Sequence, residues 1–184
     1  NDAWLSGGGI YAGFWNHRVG FTMRGGTIAR NHVQIGEGGG LRIAGGTNGV
    51  IKADNKIYIT NNKTETPDDW GGGGIFIQEN GMLNITNVLM TKNYAGGFGG
   101  GIGVCPTGKT LIVHADGGAV YDNSANGTNM SDGGNGKNAD SEVANQSNTF
   151  KKDRGYQDFF CVRKNEGADN VVSLVTGEML GDGA

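Results

Sequence analysis

The chain has 184 residues, of which 36% are hydrophobic and 18% charged, with a formal charge of −3. That length supplies one core without requiring two domains, and that balance excludes an intrinsically disordered chain. Glycine contributes 37 residues and proline only 2, which excludes collagen and proline-rich linkers and leaves glycine for turns and close backbone stacking.

A mildly acidic chain without a basic cluster lacks the footprint that phosphate backbones require, so no nucleic-acid partner is expected. Apolar runs such as Gly74-Ile75-Phe76-Ile77 fall far short of the ~20 residues of a spanning helix, and no membrane span is expected. No signal peptide is visible at Asn1-Asp2-Ala3-Trp4, and the ends read as those of a piece of a longer protein whose flanking coils would be its neighbours.

In chain order, the first predicted unit opens on Gly7-Gly8-Gly9-Ile10, continues through the alternating Phe21-Thr22-Met23 and ends on Gly25-Gly26-Thr27-Ile28-Ala29-Arg30-Asn31. The second repeats this as Gly38-Gly39-Gly40-Leu41, Ile51-Lys52-Ala53 and Ile59-Thr60-Asn61-Asn62. The third has Gly72-Gly73-Gly74-Ile75, Leu83-Asn84-Ile85 and Met90-Thr91-Lys92-Asn93. The fourth has Gly99-Gly100-Gly101-Ile102, Leu111-Ile112-Val113 and Gly117-Gly118-Ala119-Val120-Tyr121-Asp122-Asn123. The closing asparagines lie 31, 31 and 30 residues apart and the glycine runs 31, 34 and 27. Loops therefore vary while strands hold register.

Three short strands per unit, with no 3.6-residue period, predict an all-β chain: a right-handed parallel β-helix, or β-solenoid, of about four regular coils of about 31 residues. Period-2 alternation turns Ile10, Ile75, Ile77, Ile102 and Val104 inward, while Tyr11, Phe76 and Gly103 face out or sit under loops. One coil cannot bury its own face, so stability must come from stacking. Asparagine tolerates a left-handed bend, and Asn31, Asn62, Asn93 and Asn123 at one register can stack their amides into a ladder; the alternative is that each simply caps a strand at the surface.

After residues 1–124 the rhythm breaks into a polar loop around Ser124–Asn138. Apolar strands resume at Asp158-Phe159-Phe160-Cys161-Val162 and Val171-Val172-Ser173-Leu174-Val175. Residues 125–184 are expected to complete one more, irregular coil of the same domain and to cap its end, with Lys151-Lys152-Asp153-Arg154 as a charged guard.

The paired glycine and asparagine motifs resemble the GGA(I/L/V) and FxxN repeats of chlamydial polymorphic outer-membrane proteins and related adhesin-like bacterial surface proteins. The matching residues are GGGI at 7–10, 72–75 and 99–102, GGGL at 38–41, and IARN, ITNN, MTKN and VYDN ending at the four asparagines. Glycine stands here for alanine, and Ile, Met or Val for phenylalanine. The resemblance, which covers residues 1 to about 124, implies an extracellular or cell-surface location in a bacterium and a structural or adhesive role without cofactor. Host or environmental glycans, or surface proteins, would be the ligands.

The residues themselves offer little chemistry. Asp132, Asn135, Asn138, Asp140 and Glu142 supply oxygen atoms but not the spacing of a calcium loop, so a polar loop and no metal are expected. Parallel β-helices also host enzymes that cut acidic polysaccharides, with carboxylates ~5–9.5 Å apart in the hydrolases. Glu37 and Asp68, each six residues past a ladder asparagine, are the candidates, with Asp69 beside them. No cationic residue recurs next to them, so no catalytic set is expected. Trp70 and Phe98, with Trp4, form a candidate aromatic strip for sugar rings, against which stands simple packing under loops. His17, His32 and His114 fall at different registers and predict no ligand set or triad. Cys105 and Cys161, outside any CxxC arrangement, leave two alternatives, one disulfide or two separate buried thiols.

Overall fold

The computed structural model describes residues 1–14, 17–66, 71–105, 107–114, 118–126, 158–161 and 173–177; these are all β and turn, with no helix among them. The first coil holds β1 (Asp2–Ala3), β2 (Ile10–Ala12), β3 (Val19–Met23) and β4 (Gly26–Ala29). The second holds β5 (His32–Val33), β6 (Leu41–Ile43) and the continuous β7 (Thr47–Thr60). The third holds β8 (Lys63–Thr64), β9 (Ile75–Ile77) and β10 (Met82–Thr91). β11 (Tyr94–Ala95), β12 (Ile102–Val104), β13 (Lys109–His114) and β14 (Ala119–Tyr121) make the fourth, and β15 (Ser124–Ala125), β16 (Phe159–Cys161) and β17 (Ser173–Gly177) add rungs of a fifth.

Corresponding strands stack into three parallel sheets, one per face of a β-solenoid. A short face runs β1-β5-β8-β11-β15, a glycine face β2-β6-β9-β12-β16, and a long face β3-β7-β10-β13-β17, with β4 and β14 paired onto β7 and β10. Parallel strands one coil apart let every rung hand its backbone hydrogen bonds to the next, so the chain needs no closing partner strand.

The core is one apolar column through the stack. On the glycine face Ile10, Leu41, Ile75, Ile102 and Phe159 share one register; Leu41, Ile75 and Ile102 are fully buried. On the long face Met23, Ile51, Ile85 and Ile112 share another. The short face contributes the smaller buried Val33, Thr64 and Ala95, which suits the narrow side of the coil. Burying a whole Ile or Leu stabilises by about 1.5–3 kcal/mol, so the repeated aliphatic positions supply the main driving force.

Three sequence expectations need correction. The Asn-ended strand is not a separate side: it joins the alternating strand in one long face, continuous in β7 and in β10, where a register shift lies between Thr86 and Val88. The third side is instead made by the dipeptides after each asparagine, too short to show a period. Registers on the long face also differ. Phe21-Thr22-Met23 lies opposite Gly49-Val50-Ile51, and Leu83-Asn84-Ile85 opposite Thr110-Leu111-Ile112. Lys52 and Ala53 thus fall past the aligned tripeptide, and Leu111 lies on the outer surface, 38% exposed. A one-residue slip exchanges the faces of every side chain, and burial of Ile112 rather than Leu111 sets the register. Lastly, the left-handed residue is not the ladder asparagine but its predecessor: Arg30, Asn61, Lys92 and Asp122 have φ of 55°, 55°, 56° and 54°. That bend turns the following asparagine into the interior.

There the asparagines form a hydrogen-bonded column. Nδ2 of Asn31 donates to Oδ1 of Asn62 at 2.8 Å, Asn62 to Asn93 at 2.9 Å and Asn93 to Asn123 at 2.8 Å. The backbone N–H of each donates to the same oxygen at 3.0–3.2 Å. Among the described residues the column takes in Asn1, whose Nδ2 donates to Asn31 Oδ1 at 3.2 Å, and Asp158, whose Oδ1 accepts from Asn123 Nδ2 at 2.8 Å. These amides are nearly or fully buried from Asn31 onward, where each unmade bond would cost about 1–3 kcal/mol.

The glycine triplet follows from this column. In Gly72-Gly73-Gly74 the first residue is left-handed, φ +63°. A Cβ on Gly73 would lie 2.3 Å from the Tyr94 carbonyl oxygen, and one on Gly74 2.7 Å from that of Gly101 and 3.1 Å from Asn93 Nδ2. Turn, coil stacking and ladder each claim one glycine.

Candidate functional site

The outward positions of the glycine face carry the densest chemistry. Tyr11, Arg42, Phe76, Gly103 and Phe160 occupy one register across five rungs. The Arg42 guanidinium lies 5.6 Å from the Tyr11 ring centre and 5.5 Å from that of Phe76, one ring on the coil before and one on the coil after. A weakly hydrated planar cation suits that place between two π faces.

Arg42 also pairs with Glu37 Oε2 and donates from Nη1 to Ser6 Oγ at 2.6 Å. The paired side chains are only 14% and 12% exposed. Its Nε is enclosed without a hydrogen-bond partner. Phe76 is fully buried although its register is the outward one, with the Arg42 guanidinium over its ring. Tyr11 remains 47% exposed.

Glu37, one of the candidate carboxylates, is thus engaged by a cation in its own coil, and that cation is the second residue of the strand after its glycine triplet. Asp68, Asp69 and Trp70 lie outside the described residues. Phe98 is 5% exposed and stacks on Phe160, ring centres 4.9 Å apart and planes at 25°. Trp4 is 63% exposed.

Cys105 follows β12 directly, buried and free. Burial, then the charges of Glu37 and Glu79, push its thiol well above the ordinary range, so it stays a neutral thiol and a poor nucleophile. The backbone of Cys161 is in register with Val104; its side chain lies outside the described residues. The calcium-loop candidates at 132–142 and the charged segment 151–154 lie outside them too.

The three histidines are dispersed. His17 sits in the turn between β2 and β3, its ring 5.0 Å from that of Phe14. His114 ends β13 on the long face, and His32 opens β5 on the short face. Only His32 has a developed setting. Its Nδ1 lies 3.1 Å from Asp2 Oδ1, and its Nε2 3.2 Å from Glu65 Oε1 at ion-pair distance but without hydrogen-bond geometry. Lys63 Nζ is 2.6 Å from the same Glu65 oxygen and 5.7 Å from the Tyr94 ring centre. The lysine, more than the histidine, holds the exposed Glu65 carboxyl below its ordinary range. This is a surface strap across coils, and among the described residues no group of three or more His, Cys, Asp and Glu could hold a metal ion.

Sequence reasoning missed Arg42, Asn1 and Asp158. Asn1 stands 30 residues before Asn31, so the ladder period pointed to it. Arg42 and Asp158 left no such signal, since each is a single exception to the repeat.

Comparison with known proteins adds one likeness. A curated protein of Escherichia coli (strain K12), "Probable autotransporter YfaL", is 36% identical to this chain over 78 residues, which cover 41% of the chain and 6% of that protein. The chain therefore matches a small part of that relative's length. No family model and no solved structure matches.

Proposed function

We propose that this chain is a non-catalytic, structural and adhesive segment of a β-helical protein displayed on a bacterial surface or secreted from the cell. The observation that carries it is the conjunction of a β-solenoid with likeness to part of a probable autotransporter. The physics of the fold supports the same role. Each coil advances the stack by only ~4.8 Å, so repetition makes a rod whose outer turns can vary while its ladder and core stay fixed.

Its ligands would be host or environmental glycans or surface proteins, met by outward residues such as Trp4 and by Asp68 and Trp70. Flanking coils of a longer chain would be its structural neighbours. The pairing of Glu37 with Arg42 favours this over a carbohydrate-cleaving enzyme that would use Glu37 and Asp68.

The test is a panel of glycans and polysaccharides, scored both for retention of the protein and for release of reducing or unsaturated ends. Retention without products, weakened at least tenfold in Trp70→Ala, is the expected result. Product release that disappears in Glu37→Gln would replace the adhesive reading with an enzymatic one, and absence of any retention would remove glycans as ligands.

A further inference from the structure

Charge is divided unequally among the three faces. On the glycine and short faces each lysine or arginine in the described strands is held by a carboxylate, Arg42 by Glu37 and Lys63 by Glu65. The long face differs. Lys109 opens β13, Lys52 and Lys56 lie in β7, Arg24 follows β3, and Arg30 and Lys92 occupy the left-handed bends after β4 and β10. All six are exposed, and among the described residues none is in an ion pair. The described carboxylates on this face and its bends are those of Asp54 and Asp122.

None of the six cations neighbours another in sequence, and the stacking of coils is what gathers them. The Asp54 N–H donates to the Arg24 carbonyl at 3.1 Å, which puts Arg24 on the rung beside the middle of β7. There residues 53–56 stand opposite Asn87 alone, since Lys52 pairs with Thr86 and Ile57 with Val88. The bulge carries Lys56 on the exposed side, between Lys52 and the next inward residue, Ile57. Like charges collected on one surface repel one another and do nothing for the core, so an anionic ligand gains from every one it meets.

The surface between the cations narrows the class of that ligand. Thr22, Val50, Asn84 and Leu111 share one outward register, with Val50 39% and Leu111 38% exposed. Hydroxyl, amide and small apolar groups in alternation match the hydroxyls and the apolar faces of sugar rings. Bases of a nucleic acid would need exposed aromatic rings to stack on, and the outward Tyr58 and Tyr121 are partly buried. The ten residues of β10 alone extend the face by about 30 Å, room for several sugar units of a linear chain.

We propose that the long face binds a linear acidic glycan, whose carboxylate or sulfate groups meet Arg24, Lys52 and Lys56 at its middle and Lys109, Arg30 and Lys92 toward its edges. The inference rests on the adhesive reading and narrows it: the ligand is anionic, and its site is this face rather than Trp4 or Trp70.

The test is equilibrium binding of the whole chain to heparin, hyaluronate, neutral dextran and duplex DNA over a salt series. The proteins are wild type, the double variant Lys52→Gln with Lys56→Gln, Lys63→Gln and Trp70→Ala, each checked for an unchanged thermal melt. Heparin or hyaluronate should bind and dextran should not. The double variant should weaken that binding at least tenfold and lower the slope of log affinity against log salt by about two, because each lysine that meets an anionic group contributes about one. Lys63→Gln and Trp70→Ala should stay within twofold of wild type. A double variant that binds like wild type, tighter binding to DNA than to either acidic glycan, or no binding to heparin and hyaluronate would overturn the proposal. Retention on dextran that disappears in Trp70→Ala would keep the adhesive reading and discard this one.

Discussion

Asn62 Nδ2 donates to Asn93 Oδ1 at 2.9 Å across 31 residues of chain, and the same Asn62 amide nitrogen reaches the Ile28 carbonyl at 2.9 Å. One side chain therefore ties three successive coils together. It does so where no water replaces a lost bond.

Replacing Asn62 with alanine removes the acceptor of both donors of Asn31 and the amide bonds to Asn93 and to the Ile28 carbonyl. With roughly 1–3 kcal/mol for each buried group left unmade, the loss should be about 3 kcal/mol or more in urea unfolding. Asn61→Gly, at the exposed left-handed neighbour, should change stability by less than about 1 kcal/mol, because glycine adopts that φ freely. Similar losses at both positions would contradict a ladder in which only Asn62 matters.

Glycines of this chain divide by what surrounds them. Gly74→Ala places a methyl against the Gly101 carbonyl and the Asn93 amide and should lower stability by about 1–3 kcal/mol. Gly20→Ala, on β3 with nothing within 4 Å of the added carbon, should be neutral or stabilise by up to about 1 kcal/mol. Thermal melting of the two variants side by side checks both signs.

The Arg42–Glu37 pair should behave as a unit. Arg42→Met leaves a mostly buried carboxylate without its cation and should cost about 3 kcal/mol, whereas Arg42→Met with Glu37→Leu should recover most of that loss. A double-mutant cycle in denaturant measures the coupling, and strict additivity would mean that the pair contributes nothing.

Cys105 gives a pH dependence of definite sign. Burial raises its folded pKa, so its contribution to stability is complete below the unfolded thiol's ~8.5 and is lost as pH climbs past it toward the folded value, since the unfolded chain ionises first. Native protein at pH 8 should resist alkylation at Cys105 and react promptly in denaturant; Cys105→Ala should flatten the alkaline fall in stability.

Much of this was written in one dimension. Asparagines returning every 30 or 31 residues, with a glycine triplet before each, mark a repeat, and a repeat of short strands can bury its apolar face only by stacking. Ile75, Ile77, Ile102 and Val104 were legible as core because the strand period is 2. The site was less so. Glu37 stood out as a carboxylate at a repeated offset, but nothing local announced that Arg42 would close on it between two aromatic rings from neighbouring coils.

The sequence by itself determined that the chain is a β-solenoid, where its coils begin and which strand residues face inward on the glycine face, because periodicity and glycine placement are local properties. Tertiary structure alone decided the register of the long face, the existence of the short face, the burial of Phe98, Phe76 and Arg42, and the place of Asp158 in the ladder. Each of these depends on contacts between residues about one coil apart, where the outcome is set by which side chains fill the space between turns rather than by the order in which they occur.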